Sequence, residues 1–286
     1  MQLYSIETGN AKFDGGAIFG VVPKVIWQKL YPSDENNLCN CSIRSLLVVD
    51  GDLKILIDTG IGDKQDEKFL KNFHLNGTDN LIQSLVKYGF KPTDITDVIL
   101  THLHFDHCGG AVKQNVDNTG FELTFPNANY YTSRKHWDWA MHPNRRESAS
   151  FLIENILPIQ ESGRLRLLEE EGKLFPNISV KFFYGHTEAQ VIPFIKYNQY
   201  TIVYVADFLA SAAHIPMAYV PSYDIRPLQT MEEKEIFYRD SILNNYILFF
   251  EHDLYNECCT LQNTNKGVCV KDSFKLEKLY GSTTPR

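Results

Sequence analysis

The sequence predicts an α/β protein with a two-layered β core and helices on the outside. Three observations predict it. Short β-rich runs are grouped with amphipathic helical stretches in each half of the chain. An Asp-Gly pair, Asp50-Gly51, sits between two such runs and reads as a hairpin turn. Polar residues with metal-binding chemistry recur directly after apolar runs, where strands end and rigid scaffolds present site residues. No linker, low-complexity tract or repeat divides the 286 residues, so 1–286 is read as one domain.

In the first half, Ser45–Val49 and Lys54–Ile57 are the strands flanking Asp50-Gly51-Asp52. Asp79–Tyr88 has helical spacing, with Leu81, Ile82, Leu85 and Val86 on one face and Gly89 as the stop. Thr96–Thr101 is a short buried strand. Ser133–Leu157 has helical spacing and three bulky anchors, Trp137, Trp139 and Met141. In the second half, Ile178–Tyr184, Val191–Tyr197 and Tyr200–Val205 are strands, the last two joined at Tyr197-Asn198-Gln199. Met231–Asn244 is an amphipathic helix, Tyr246–Phe250 an apolar strand, and Gly267–Ser273 β-like.

The stretch GGAIFGVVPKVIWQKLYP, Gly15–Pro32, mixes glycines with large apolar side chains. Residues 10–35 are therefore expected to form a mobile loop that covers an apolar substrate chain, with Phe19, Val22, Trp27 and Tyr31 as contacts. Core packing and a homodimer contact are the competing uses of such a segment.

The net charge of −7 and the lack of a long basic run disfavour a nucleic-acid-binding face, which needs clustered Lys and Arg. No apolar run reaches the roughly 18 residues of a spanning helix. MQLYSIETGN lacks the basic and apolar regions of a secretory signal. A cytoplasmic protein without membrane contact is expected. Cys39, Cys41, Cys108, Cys258, Cys259 and Cys269 have no structural-zinc spacing and are expected to be free thiols.

The chemistry concentrates in VILTHLHFDHCGG, Val98–Gly110. His102 and His104 fall on one side of an extended segment, because side chains alternate with period two. Asp106 and His107 follow, and Gly109-Gly110 permits a tight turn. One ion cannot easily use all four side chains from so short a stretch. The economical reading is two ions, one on His102 and His104, the other on Asp106 and His107. His186, Asp207 and His252 each follow an apolar strand and are the candidates to complete the two sites. Imidazole and carboxylate without thiolate suit zinc first, and also manganese, iron or cobalt. His74 and His136 are isolated and read as ordinary structural histidines.

These motifs resemble the metallo-β-lactamase superfamily. The H-x-H-x-D-H pattern matches His102, His104, Asp106 and His107. Leu56-Ile57-Asp58-Thr59-Gly60 precedes it, and Gly185-His186-Thr187, Asp207 and His252 follow in order. The resemblance implies an αββα sandwich with two central β-sheets flanked by helices and the metals at the sheet edges. It implies His102, His104 and His186 on one ion, Asp106, His107 and His252 on the other, and Asp207 bridging. Asp58 would orient a ligand from behind.

Two divalent ions make hydroxide available near neutral pH, so hydrolysis of an ester, lactone, amide, thioester or phosphoester is the implied chemistry. Asp106 is a candidate to relay the proton to the leaving group. Departures from family patterns narrow the choice. Dinuclear β-lactamases carry Cys where this chain has Asp207, flavodiiron relatives carry an acid in place of His104, and the tail after His252 does not resemble that of glyoxalase II. What remains resembles N-acyl-homoserine-lactone lactonases and methyl-parathion-hydrolase-like enzymes. The expected function is a quorum-quenching lactonase acting on a small ester or lactone with an apolar chain. A phosphotriesterase or arylesterase is the alternative, and a non-catalytic metal-binding or ligand-sensing protein the reading from another class. Ala210 stands where many lactonases place a tyrosine, so either another donor, His214 or Tyr223, is expected to serve instead or the substrate differs. Gln190 replaces a further histidine common in relatives.

Overall fold

A computed structural model of the protein describes residues 1–117 and 119–280. The first half runs β1 (Gln2–Asp14), α1 (Gly15–Phe19), α2 (Lys24–Trp27), β2 (Leu38–Asp50), β3 (Leu53–Ile57), α3 (Glu67–Lys71), α4 (Leu81–Lys87), β4 (Asp97–Ile99) and α5 (Phe105–Cys108). The short pair β5 (Val112–Gln114) and β6 (Phe121–Leu123) follows, then β7 (Asn129–Ser133), α6 (Arg134–Met141), α7 (Ile153–Glu161) and β8 (Leu165–Leu168). The second half runs β9 (Gly172–Phe175), β10 (Ile178–Phe183), β11 (Gln190–Tyr197), β12 (Tyr200–Tyr204), α8 (Pro227–Asn244), β13 (Ile247–Phe249), β14 (Cys258–Thr264) and β15 (Gly267–Phe274).

Two large sheets result, in the orders β1-β2-β3-β4-β7-β8 and β15-β14-β13-β12-β11-β10-β9. Their inner faces share one core: Leu46, Val48 and Ile57 from the first meet Ile195, Val203 and Phe249 from the second. The alternate residues of β2 and β3, Leu47 and Leu56, point to the other face and pack against Leu85, Trp137 and Ile156 of α4, α6 and α7. Both faces of the central strands are thus buried, which is why they read as continuous apolar runs. On the far side, Phe237 of α8 packs on Phe194 and Phe208. This is the αββα sandwich. Among the described residues no helix is long and apolar enough to cross a membrane.

Three segments differ from the sequence expectation. β1 was not foreseen, because only Leu3, Ile6 and Ala11 along it are buried. It is an edge strand, half-exposed on both faces, with a register shift between Glu7 and Asn10. Residues 10–35, expected as a mobile loop, instead contain the end of that strand and the helices α1 and α2. The helical stretch Ser133–Leu157 is broken by a loop over residues 142–152. There the Asn144 side chain accepts from the backbone N–H groups of Arg146 and Glu147, offering the chain a turn in place of another helical bond.

The strand ends that carry polar residues are held together by direct contacts. The Thr59 N–H donates to His107 O at 2.7 Å and Gly110 N–H to Gly60 O at 2.9 Å. A Cβ on Gly109 would run into the Ile61 carbonyl, and one on Gly110 into the Thr59 carbonyl. Substituting Gly110→Ala is therefore expected to cost about 3 kcal/mol of stability, the upper range for overpacking. The shift of the urea midpoint checks it.

Candidate metal centre

The site forms where five strands end. β3 runs into Asp58. β4 leads through Thr101 to His102 and His104, and α5 carries Asp106 and His107. β10, β12 and β13 lead to His186, Asp207 and His252. The structure brings all seven donors expected from the sequence into one cluster. His102 Nε2 lies 3.0 Å from His104 Nδ1, and His186 Nε2 lies 3.3 Å from the same atom. Asp207 Oδ2 is 3.2 Å from His186 Nε2 and 3.8 Å from His102 Nε2. On the other side, His107 Nε2 is 3.2 Å from His252 Nε2. Asp207 Oδ1 lies 2.9 Å from His252 Nε2, and Asp106 Oδ2 lies 3.8 Å from His107 Nε2. Two groups of donors, His102/His104/His186/Asp207 and Asp106/His107/His252, are each compact enough to hold an ion, and Asp207 touches both.

The outer ring nitrogens show which way the lone pairs point. His107 Nδ1 faces Asp58 Oδ2 at 3.1 Å and Glu251 Oε2 at 3.0 Å. His186 Nδ1 faces Asp224 Oδ1 at 3.0 Å, and His252 Nδ1 faces the Ser42 carbonyl at 3.1 Å. Carboxylates and carbonyls only accept, so these rings carry their proton outside and aim a lone pair inward. His102 follows the same rule. Thr101 Oγ1 donates to Asp58 Oδ2 at 2.6 Å, which leaves it to accept the His102 Nδ1–H at 3.1 Å, with the Gln190 amide 3.3 Å from the same ring nitrogen. Inward lone pairs 3.0–3.3 Å apart repel unless a proton or a cation lies among them, and Asp207 Oδ1 is buried without a hydrogen-bond partner. The donor set therefore fits two divalent ions.

Electrostatics agree. Burial pushes His102 well below the usual imidazole range. Burial would raise Asp207, yet the rings of His252, His107 and His186 outweigh it and hold the carboxyl well below its ordinary range. Burial would lower His252, but Asp207 outweighs it and raises the ring to about 9. The field that favours a proton on His252 equally favours a divalent cation.

A cavity of about 500 Å³ opens onto these donors. Of the expected substrate contacts, Tyr31 and Tyr223 line it. Phe19 and Trp27 are fully buried behind the wall, stacked at 4.7 Å, and neither they nor Val22 reaches the cavity. Phe13, Ile18, Phe73 and Phe105 line it instead. Phe105, between the donors His104 and Asp106, meets Phe73 at 4.6 Å and faces the cavity. His214 also borders it, but both ring nitrogens are engaged. Nε2 donates to the Ile18 carbonyl at 3.0 Å, and Nδ1 lies 2.8 Å from Ser211 Oγ. The ring stacks on Phe19 at 4.8 Å, and burial together with Lys234 lowers its pKa to about 4. This geometry makes His214 a neutral brace that ties α1 to the wall, in place of the proton donor expected from the sequence. His136, read as structural, accepts from the Leu103 N–H at 2.8 Å and supports the motif from below.

Sequence reasoning missed Asp224, Glu251, Arg44 and Glu147. Arg44, on β2, donates to the carbonyls of Phe250 and Asp253 at 2.8 and 3.1 Å and so fixes the turn bearing His252. Only Glu251 had a signal: a charged residue closing an apolar strand beside a candidate donor.

Comparison with known proteins places these features. A family model described as the metallo-beta-lactamase superfamily matches residues 40–238. The N-acyl homoserine lactonase AiiA of Bacillus thuringiensis subsp. kurstaki is 24% identical over 277 residues, covering 90% of this chain and 94% of the relative. A crystal structure from Staphylococcus aureus, described as a probable metal-dependent hydrolase, superposes with a TM-score of 0.86 at 29% identity, covering 96% of this chain and 98% of that one. AidC, described as a dizinc quorum-quenching lactonase in complex with a product, superposes with a TM-score of 0.79 at 23% identity over 96% and 95% of the two chains.

Cations held by the folded donor set and not by the unfolded chain would stabilise the fold, so chelation is expected to lower Tm and re-addition of zinc to restore it, a stabilisation of about 2.7 kcal/mol per site when free zinc is a hundredfold above its Kd. His186→Ala and His252→Ala are each expected to release about one ion per chain, read by plasma mass spectrometry.

Proposed function

The chain belongs to the metallo-β-lactamase superfamily, and from that premise we propose that it is a dinuclear zinc lactonase that opens N-acyl-homoserine lactones. The observation that carries this reading is a full set of seven donors, five of which (His104, Asp106, His186, Asp207 and His252) line a largely apolar cavity. The likeness to AiiA, an N-acyl homoserine lactonase, and to AidC, a quorum-quenching lactonase, supports the same substrate class. His102, His104 and His186 would hold one ion and Asp106, His107 and His252 the other, with Asp207 between them. Bound there, such ions supply hydroxide near neutral pH and polarise the carbonyl under attack.

The chain's own groups do the rest. Phe13, Ile18, Phe73 and Phe105 receive the acyl chain and keep water from the reacting carbonyl. Asp106 stands at the cavity wall and passes the proton to the ring oxygen as the ester C–O bond breaks, leaving a carboxylate and an alcohol. Tyr223 stands at the cavity rim, 45% exposed, and a phenol keeps its proton at neutral pH, so its hydroxyl can donate. It is the donor we assign in place of the tyrosine absent at Ala210. His214 and Phe19 act by keeping α1 against the cavity.

Acyl-homoserine lactones of graded chain length are expected to be hydrolysed, with acid release followed in a pH-stat. His104→Ala is expected to abolish turnover, and Asp106→Asn to lower kcat by about a hundredfold or more. Turnover of paraoxon or aryl acetates with no lactone hydrolysis above the His104→Ala control would replace this reading with a phosphotriesterase or arylesterase.

A further inference from the structure

Glu147 lies in the loop between α6 and α7, remote in sequence from every donor, yet it is only 3% exposed. Its carboxylate gathers four groups. Oε1 accepts from Thr187 Oγ1 at 2.6 Å and lies 3.5 Å from His104 Nε2. Oε2 accepts from Trp139 Nε1 at 2.8 Å and from Asn144 Nδ2. Thr187 adjoins His186, so one side chain touches both a donor ring and the neighbour of a second donor.

His104 differs from the other four rings. Its inward atom is Nδ1, and its outward Nε2 is buried with no hydrogen-bonded partner. Left to itself, a neutral ring would keep its proton on Nδ1, where His102 Nε2 accepts at 3.0 Å. That tautomer points a hydrogen at the place the ion must occupy. The nearest charged group able to reverse the choice is the Glu147 carboxylate, aimed at Nε2 from the other side.

We infer that Glu147 is a positioning residue for the first ion: it holds the His104 proton on Nε2, leaving Nδ1 free to bind, and ties the 142–152 loop to that ion. The loop also carries cavity wall. The Phe105 N–H donates to Ser150 O at 2.9 Å, Ser150 N–H donates to Glu147 O at 2.8 Å, and Arg146 donates to Ser222 O on the opposite rim. Order at the first ion and order of the wall therefore run through one carboxylate.

The inference rests on the two-ion reading above, and its test separates the two. Wild-type protein, Glu147→Gln and Trp139→Phe are loaded with zinc and dialysed against graded chelator. Bound metal is counted by mass spectrometry, and parallel cobalt-loaded samples are followed by visible absorption. A wild-type chain that never holds two ions would sink the two-ion reading. Given two ions in the wild type, Glu147→Gln is expected to lose one of them at about 10–100-fold lower chelator, with the second ion and its cobalt bands retained. Trp139→Phe, which removes a partner of the same carboxylate without touching His104, is expected to match the wild type. Equal retention in Glu147→Gln, or loss of both ions together, overturns the assignment. A second reading needs no variant: in metal-free wild-type protein, ring nitrogen-15 resonances are expected to show His104 protonated at Nε2. Protonation at Nδ1 overturns the inference.

Discussion

Five imidazole lone pairs and two carboxylates meet within a few ångströms at the ends of two facing sheets. Such an arrangement suits cations at its centre, because inward lone pairs 3.0–3.3 Å apart repel one another when the rings are neutral. Much of the surrounding structure secures it. The sheets are stitched at this edge by the Val191 N–H on Thr101 O, Ser133 Oγ on Ala189 O, and Ser42 Oγ on Glu251 O. Left-handed backbone at Asp58 and Ala206, with φ of 56° and 41°, bends into place the turn that backs His107 and the turn that carries Asp207.

Four of the five rings are backed by a hydrogen-bonded outward acceptor, and the acceptors come from different parts of the chain. Asp58 and Glu251 stand behind His107, Asp224 behind His186, and Ser42 O behind His252. Asp224 is in turn held by Thr230 Oγ1 at 2.6 Å, which anchors it to α8. Ring orientation thus depends on helix and strand placement well outside the motif. One carboxylate, Asp224, thus links α8 to the His186 ring.

The sequence revealed the donors because strand-end position and H-x-H-x-D-H spacing are local properties. The central strands were legible for the same reason: buried on both faces, they read as apolar runs. The edge strand β1 was not, since QLYSIETGNAKFD buries only a few side chains and its partner β2 supplies the order. Nor were Asp224, Arg44 and Glu147, whose roles arise from tertiary contacts over 38, 206 and 40 residues of separation. The apolar wall was placed too far into α1 and α2. Glycine and aromatic content cannot distinguish a side chain facing a cavity from one stacked just behind it, as Phe19 and Phe13 show.

The central claim is that this donor set holds two ions bridged by Asp207. Anomalous diffraction from zinc-loaded crystals at the metal edge tests it most directly. The account predicts two peaks, one enclosed by His102, His104 and His186 and the other by Asp106, His107 and His252, with Asp207 touching both. A single peak, or a peak seated among Asp58, His107 and Glu251 instead, would contradict it.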